Sequence, residues 1–396
     1  MRKIASLLAL LLAACGPAHA QWQIQNSGTT ADLRGIDDVG GGVAWASGTN
    51  GTVLRTEDGG YLWQECTIPP GAEHLDFRGI QAFDANTAIV MSSGKGDLSR
   101  LYKTTDGCHT WKLVFTNPDK DGFWDAIRIS GAKTVLMIGD PLPHKELDRL
   151  KVKTYFHFPL YGSADAGDTW MRLDTNNLFA LSDSKGNPTE FIFAASNSSL
   201  LEIEDHRMII FAKGGVMPSL GQLEMIDKPN PMLCKSPCAM AGSSRIPLKS
   251  GPTAGAFSVA VDDPNSPDPS LVVVGGDYAN PNDHAGNSAS CFRDTQLLIA
   301  GRFDCEASAT PPHGFRSAVA YDAASKTWIT VGPNGTDIST DDGRNWRALH
   351  PDPALHEPPD ADRDWNALSL PYVVGPHGRI GKLNPHALQS APTQEK

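Results

Sequence analysis

The chain has 396 residues, with 34 Lys and Arg against 45 Asp and Glu and a formal net charge of −11. That acidic balance excludes a nucleic-acid sleeve or a binder of anionic membranes, since both need a positive surface. A hydrophobic content of 40% is enough for a sizeable core, and 38 Gly with 29 Pro read as many turns rather than disorder.

Residues 1–20 read as an export signal. Arg2 and Lys3 form a charged start, and Ile4–Ala14 is an apolar run too short to span a bilayer as a mature helix. Two processing readings stay open. Ala18-His19-Ala20 is an A-x-A site giving a start at Gln21, whereas Leu12-Ala13-Ala14-Cys15 is similar to a bacterial lipobox in which Cys15 would be lipidated. Either way the expectation is an exported chain, periplasmic or lipid-anchored to the envelope, with 21–396 as a single domain. Beyond Cys15 six cysteines remain, and an even number in an exported chain favours disulfides. Local loops suggest Cys234–Cys238 and Cys291–Cys305, leaving Cys66 with Cys108, although six cysteines leave the connectivity open. No His follows Cys234-x-x-x-Cys238 at finger spacing, so no metal is expected there.

Four octets repeat along the chain: Thr56–Trp63, Thr104–Trp111, Ser163–Trp170 and Ser339–Trp346. They share the pattern [ST]-x-D-x-G-x-x-W, with Cys108 once in place of the Gly. Asp58, Asp106, Asp165 and Asp341 would accept backbone N–H bonds in a tight hairpin turn, the Gly would permit positive φ, and Trp63, Trp111, Trp170 and Trp346 would pack beneath. This is the Asp-box, or bacterial neuraminidase repeat. Short strands joined by Gly turns precede or echo the octets at Val43–Gly48, Thr327–Gly332 and Tyr372–Ile380, which makes each unit a four-stranded blade.

Spacing counts the blades. Trp22, Trp63, Trp111 and Trp170 are 41, 48 and 59 residues apart, and the next octet Trp lies 176 further on. That interval holds three units, so two blades, near 190–249 and 254–310, have lost the octet. Residues 365–385 supply three strands without a Trp strand, and Trp22–Gln25 is a Trp strand without the other three. The expectation is an all-β, seven-bladed β-propeller whose N-terminal strand closes the last blade. Insertions around His144–Arg149, across 216–248 and across 278–310 are the long departures from the repeat, and such departures often carry function.

The octets, the blade count and segments such as Phe193–Ser199 and Val274–Tyr278 resemble bacterial propellers related to the photosystem II stability/assembly factor. The resemblance covers 22–385. It implies a non-catalytic, extracytoplasmic scaffold that holds protein partners, here an envelope protein. A monomer without cofactor, metal or nucleic acid is expected. The Asp-box itself is shared with sialidases and sortilin-type receptors, so it speaks to fold more than to activity.

Candidate chemistry comes from the first strand of each blade. Leu33-Arg34-Gly35-Ile36, Phe77-Arg78-Gly79-Ile80, Trp124-Asp125-Ala126-Ile127, Phe257-Ser258-Val259-Ala260, Phe315-Arg316-Ser317-Ala318 and Trp365-Asn366-Ala367-Leu368 superpose. This places Arg34, Arg78, Asp125, Ser258, Arg316 and Asn366 at one mouth of the channel. Three guanidiniums would suit a carboxylate or an acidic partner segment. The structural alternative is a set of salt bridges between blades, for instance Arg78 with Asp125. The enzymatic alternative is a sialidase-like glycoside hydrolase, with Arg245-Ile246-Pro247 as a faint echo, Tyr161, Tyr278 and Tyr321 as candidate nucleophiles, and Asp125, Asp140 or Asp277 as carboxylates. No haem, zinc-pair or phosphate-loop motif appears.

Overall fold

The computed structural model describes residues 21–143, 155–173, 178–194, 197–203, 208–225, 239–293, 302–351, 353 and 357–388. The segment 1–20 with Cys15, the insertion around His144–Arg149, and Cys234 and Cys238 lie outside the described residues.

Strands of this chain read as unbroken apolar runs where neighbouring sheets cover both faces. Ala88–Ser92 and Val135–Gly139 are buried at every position. The outermost strands, Gln64–Glu65 and Met171–Arg172, are exposed and polar or mixed. Three antiparallel four-stranded sheets follow one another: Leu33–Gly40 with Val43–Gly48, Val53–Thr56 and Gln64–Glu65; Phe77–Ala82 with Ala88–Ser92, Arg100–Thr104 and Lys112–Thr116; and Trp124–Ile129 with Val135–Gly139, Leu160–Ser163 and Met171–Arg172.

A nine-stranded sheet comes next. Its first half is built on Met208–Gly215 and its second on Gly251–Val261, Ser270–Asp277, Ser288–Arg293 and Phe303–Ala307. The halves join at Gly214 and Gly255, which approach so closely that a Cβ on Gly255 would meet the Gly214 Cα at 2.2 Å. Then follow Ala318–Asp322, Thr327–Gly332, Gly335–Ser339 and Arg347–Leu349, and finally Ala367–Ser369, Tyr372–Val374 and Ile380–Leu383. Trp22–Gln25 completes this last sheet, with Trp22 opposite Leu383 and Gln25 opposite Ile380.

The first strands pack on one another in sequence, and Ala367–Ser369 returns to Leu33–Gly40, so the sheets close a ring. The fold is an all-β propeller. Its core is a series of clusters between adjacent sheets: Trp45, Phe77 and Tyr102 between the first two, Met91, Trp124 and Met137 between the next two, and Trp22, Ile329 and Trp365 near the closure. Among the described residues no helix is long and apolar enough to cross a membrane.

Four turns share one hydrogen-bond pattern. In each, the Ser or Thr hydroxyl donates to the Asp carboxylate at 2.8–2.9 Å, and the same hydroxyl accepts the N–H four residues on. The Asp then accepts the N–H of Leu62, Thr110, Thr169 or Asn345. Hydrogen bonds from the Thr110 and Thr169 hydroxyls and amides hold Asp106 and Asp165 down at about 2. Cys108 occupies the glycine position at φ 66° and is tied by a disulfide to Cys66. A second disulfide joins Cys291 to Cys305 across directly paired strands.

Candidate functional site

The innermost strands carry a one-residue bulge. Leu33 pairs with Gly48 and Gly35 with Ser47, which leaves Arg34 unpaired and turned out of the pleat. Arg78, Asp125 and Phe257 stand at the same point of their own sheets. Backbone bonds extend the register. The Leu33 N–H donates to Gly375 of the preceding sheet, as Arg316 does to Gly275 and Trp365 to Gly332. Ser317 and Asn366, the residues that follow, are therefore the equivalents of Arg34.

Arg34, Arg78, Phe257, Ser317 and Asn366 line one cavity of about 440 Å³, together with Phe193, Ala194, Tyr278 and Phe315. The short 3-10 turn Asn197–Ser199 ties three of the innermost strands together. Asn197 donates to the Ile80 carbonyl at 2.7 Å and accepts the Ile127 N–H, and Ser198 accepts the Ser258 hydroxyl at 2.7 Å. The cavity itself is a cup of mixed polar and aromatic lining.

Two expected mouth residues lie one position out of this register. Ser258 is fully buried, donating to Ser198 and accepting the Val319 N–H at 3.0 Å. Arg316 is fully buried as well. Its Nε donates to Asp337 Oδ2 at 2.9 Å, a second guanidinium nitrogen also reaches Asp337, and the third donates to Asn334 at 2.7 Å. The same Asp337 accepts His313 Nδ1 at 2.7 Å. The cause of the slip is physical. The inward slot holds Leu33, Phe77, Trp124 and Trp365 in four sheets, but Ala256 and Arg316 in two, so Phe257 and Phe315 are displaced to the mouth.

Asp125 keeps the bulge position yet is buried, and among the described residues neither carboxylate oxygen has a well-formed hydrogen bond. Burial and then the neighbouring Asp140 raise it well above the ordinary aspartate range, against the pull of Arg78. Asp140 is itself pushed up to about 7 by burial, opposed by the Ile192 N–H at 3.2 Å.

Arg78 does not pair with Asp125. Its Nε donates to Asp76 at 2.8 Å and its NH1 to the Ala194 carbonyl at 3.3 Å. Arg34 Nε lies 3.4 Å from the other oxygen of Asp76, and its NH2 3.9 Å from Asp32. Asn366 donates its amide to the Leu33 carbonyl at 2.8 Å. Two guanidiniums and two carboxylates leave this rim nearly neutral.

The residues weighed for hydrolysis take varied places. Tyr161 is buried with its hydroxyl on Asp119 at 2.7 Å, Tyr321 packs on Trp328, and Arg245 ends a strand opposite Ser219, away from the cup. Asp277 accepts from Thr253 at 2.8 Å. Of these residues only Tyr278 lines the cup, and no described lining residue is a carboxylate. Sequence reasoning missed its aromatic side. A signal for it was present: the second strand of most sheets ends in a glycine opposite the inward slot, and Gly275 pairs with Ala256, not with Phe257.

Solved structures align with the whole ring. YCF48 bound to D1 peptide matches at a TM-score of 0.54 and 15% identity, over 93% of this chain and 99% of that one. YCF48 from Cyanidioschyzon merolae matches at 0.57 and 17%, over 93% and 100%. The GH74 xyloglucanase from Xanthomonas campestris matches at 0.51 and 14%, over 95% of this chain and 55% of that one. The likeness is one of fold. It agrees with the resemblance to photosystem II stability/assembly factor propellers at that level. No family model and no curated protein matches the chain.

Proposed function

We propose that this chain is an exported, non-catalytic scaffold: one seven-bladed Asp-box propeller over 21–396, which grips a segment of an envelope protein at the cup. Four four-stranded sheets, the two halves of the nine-stranded sheet and the sheet closed by Trp22–Gln25 support the blade count. The four hydroxyl–Asp turns support the Asp-box reading. Two disulfides accord with an oxidising compartment.

One observation carries the functional reading: equivalent bulge positions converge Arg34, Arg78 and Asn366 on one concave cup whose described lining residues include no carboxylate. Arg34 and Arg78 keep guanidinium donors unspent, suited to carbonyl or carboxylate acceptors of a polypeptide. A glycosidase needs two carboxylates across the scissile bond, and this cup offers none.

The test is affinity capture from the envelope fraction of the source cells, comparing wild type with Arg34→Ala/Arg78→Ala. A protein held by wild type and lost by the variant, at unchanged melting temperature, is the expected result. Equal capture by both proteins, or turnover of a glycoside panel by the wild type, would overturn it.

A further inference from the structure

The cup has two unlike halves. The closing, first and second sheets give Asn366, Arg34 and Arg78, while the opposite arc gives Phe193, Phe257, Tyr278 and Phe315. The Phe193 and Phe257 rings stack 4.0 Å apart at 2°, and Phe315 meets Phe257 edge-on at 4.8 Å. Tyr278 stands nearly perpendicular to both stacked rings at 6.1 Å and keeps half its surface exposed. An exposed aromatic ring held on edge by two others is a preformed contact for a flat apolar group, with little side-chain entropy left to lose.

The polar half is equally ordered and incompletely used. Among the described residues the Arg34 guanidinium makes no hydrogen bond, its nearest carboxylate oxygen being 3.4 Å away, and Arg78 leaves one terminal nitrogen unspent. Asp76 holds both guanidiniums side by side. With Asp32 and Asp76 offsetting them, the rim attracts an anion through directed hydrogen bonds more than through net field.

We propose that the cup selects a polypeptide segment in which an aromatic side chain stands beside a carboxylate, the ring against Tyr278 and its stack and the carboxylate on Arg34 and Arg78. This rests on the reading of the cup as a protein-binding mouth and adds the residue chemistry it prefers. Selectivity lies in the aromatic half, capture in the guanidinium half, and the near-neutral rim makes binding only weakly dependent on salt.

Calorimetric titration of the full chain with capped Asp-Phe-Asp, capped Asp-Ala-Asp and methyl β-glucoside tests this. Asp-Phe-Asp is expected to bind about tenfold more tightly than Asp-Ala-Asp, the order of one good aromatic contact. Tyr278→Ala should bring Asp-Phe-Asp binding down to the level of Asp-Ala-Asp, while Tyr278→Phe retains the preference. Tyr278 is half exposed, so melting temperature should not move. Equal binding of both peptides, weakened together by Arg34→Ala/Arg78→Ala, would overturn the aromatic selectivity and leave the protein-binding mouth standing. Binding of the glucoside alone, or of no probe at millimolar concentration, would overturn both.

Discussion

Asp140→Asn is expected to stabilise the protein at pH 8 and to leave it unchanged at pH 4. The wild-type carboxyl follows Gly139, is largely buried and, among the described residues, accepts only the Ile192 N–H. Burial pushes it from an ordinary 3.8 up to about 7. The unfolded chain thus loses this proton near 3.8, while the folded chain holds it to about 7. Folding takes up a proton between those values, so this group makes stability fall as pH rises from about 4 to about 7 and then level off. At about 1.4 kcal/mol per pH unit the ceiling is roughly 4 kcal/mol, and residual solvent contact brings the expected gain to about 2–3 kcal/mol.

Asparagine keeps an acceptor for the Ile192 N–H and cannot ionise. It also removes the charge that raises the fully buried Asp125, which adds to the gain. Urea unfolding of the disulfide-intact protein at pH 4, 6 and 8 measures the effect. Asp37, also pushed up to about 7 by burial, shapes both curves alike, so their difference isolates the 140 position. A variant no more stable than wild type at pH 8, or a gap that is the same at every pH, refutes the reasoning.

Three further outcomes are expected. Arg316→Ala leaves Asp337 buried with one fewer cation and should cost about 3–5 kcal/mol by urea unfolding, whereas Arg34→Ala, on the partly exposed rim, should cost under about 1 kcal/mol. Ser258→Ala strips the acceptor from the buried Val319 N–H and should cost about 1–3 kcal/mol without weakening any ligand in the cup; weakened binding would mean that Ser258 faces the mouth. Removing Cys66–Cys108, which closes 42 residues, should destabilise by about 1 kcal/mol more than removing Cys291–Cys305, which closes 14; equal shifts in paired Ser variants would count against a loop-entropy origin.

The fold was legible because its determinants are local and repeated. Each octet encodes its own turn through a hydroxyl, an Asp and a residue able to take positive φ, and neither sheet order nor burial is needed to recognise it. Trp22–Gln25 was legible as a closing strand because it is a Trp strand lacking partners, and the partners it lacked stand at the other end of the chain. The small sheet of Leu142–Pro143, Phe156–His157 and Phe179–Ala180 was not read, since two-residue strands leave no periodic trace.

The site was only half legible, and the reason is the exchange of roles between two adjacent residues. Aligning first strands on their large apolar residue assumes that the inward slot always takes it. That holds for Leu33, Phe77, Trp124 and Trp365. It fails where Ala256 fills the slot beside the Gly214–Gly255 approach, and where Arg316 fills it because Asp337 is buried to neutralise it. In both places the neighbouring phenylalanine goes to the mouth. A buried ion pair in one sheet and a glycine contact in another therefore decide that the cup has an aromatic half. The second-strand glycines, Gly48, Gly139 and Gly275, sit opposite the slot where the register shift begins, and Ser92 takes that place opposite Phe77. A glycine there answers to backbone crowding, with a Cβ at Gly275 only 1.9 Å from the Gly255 carbonyl. Backbone crowding marks register more faithfully than side-chain size does, because a slot can be filled by Leu, Phe, Trp, Ala or Arg while that close approach admits only glycine or, at Ser92, another small residue.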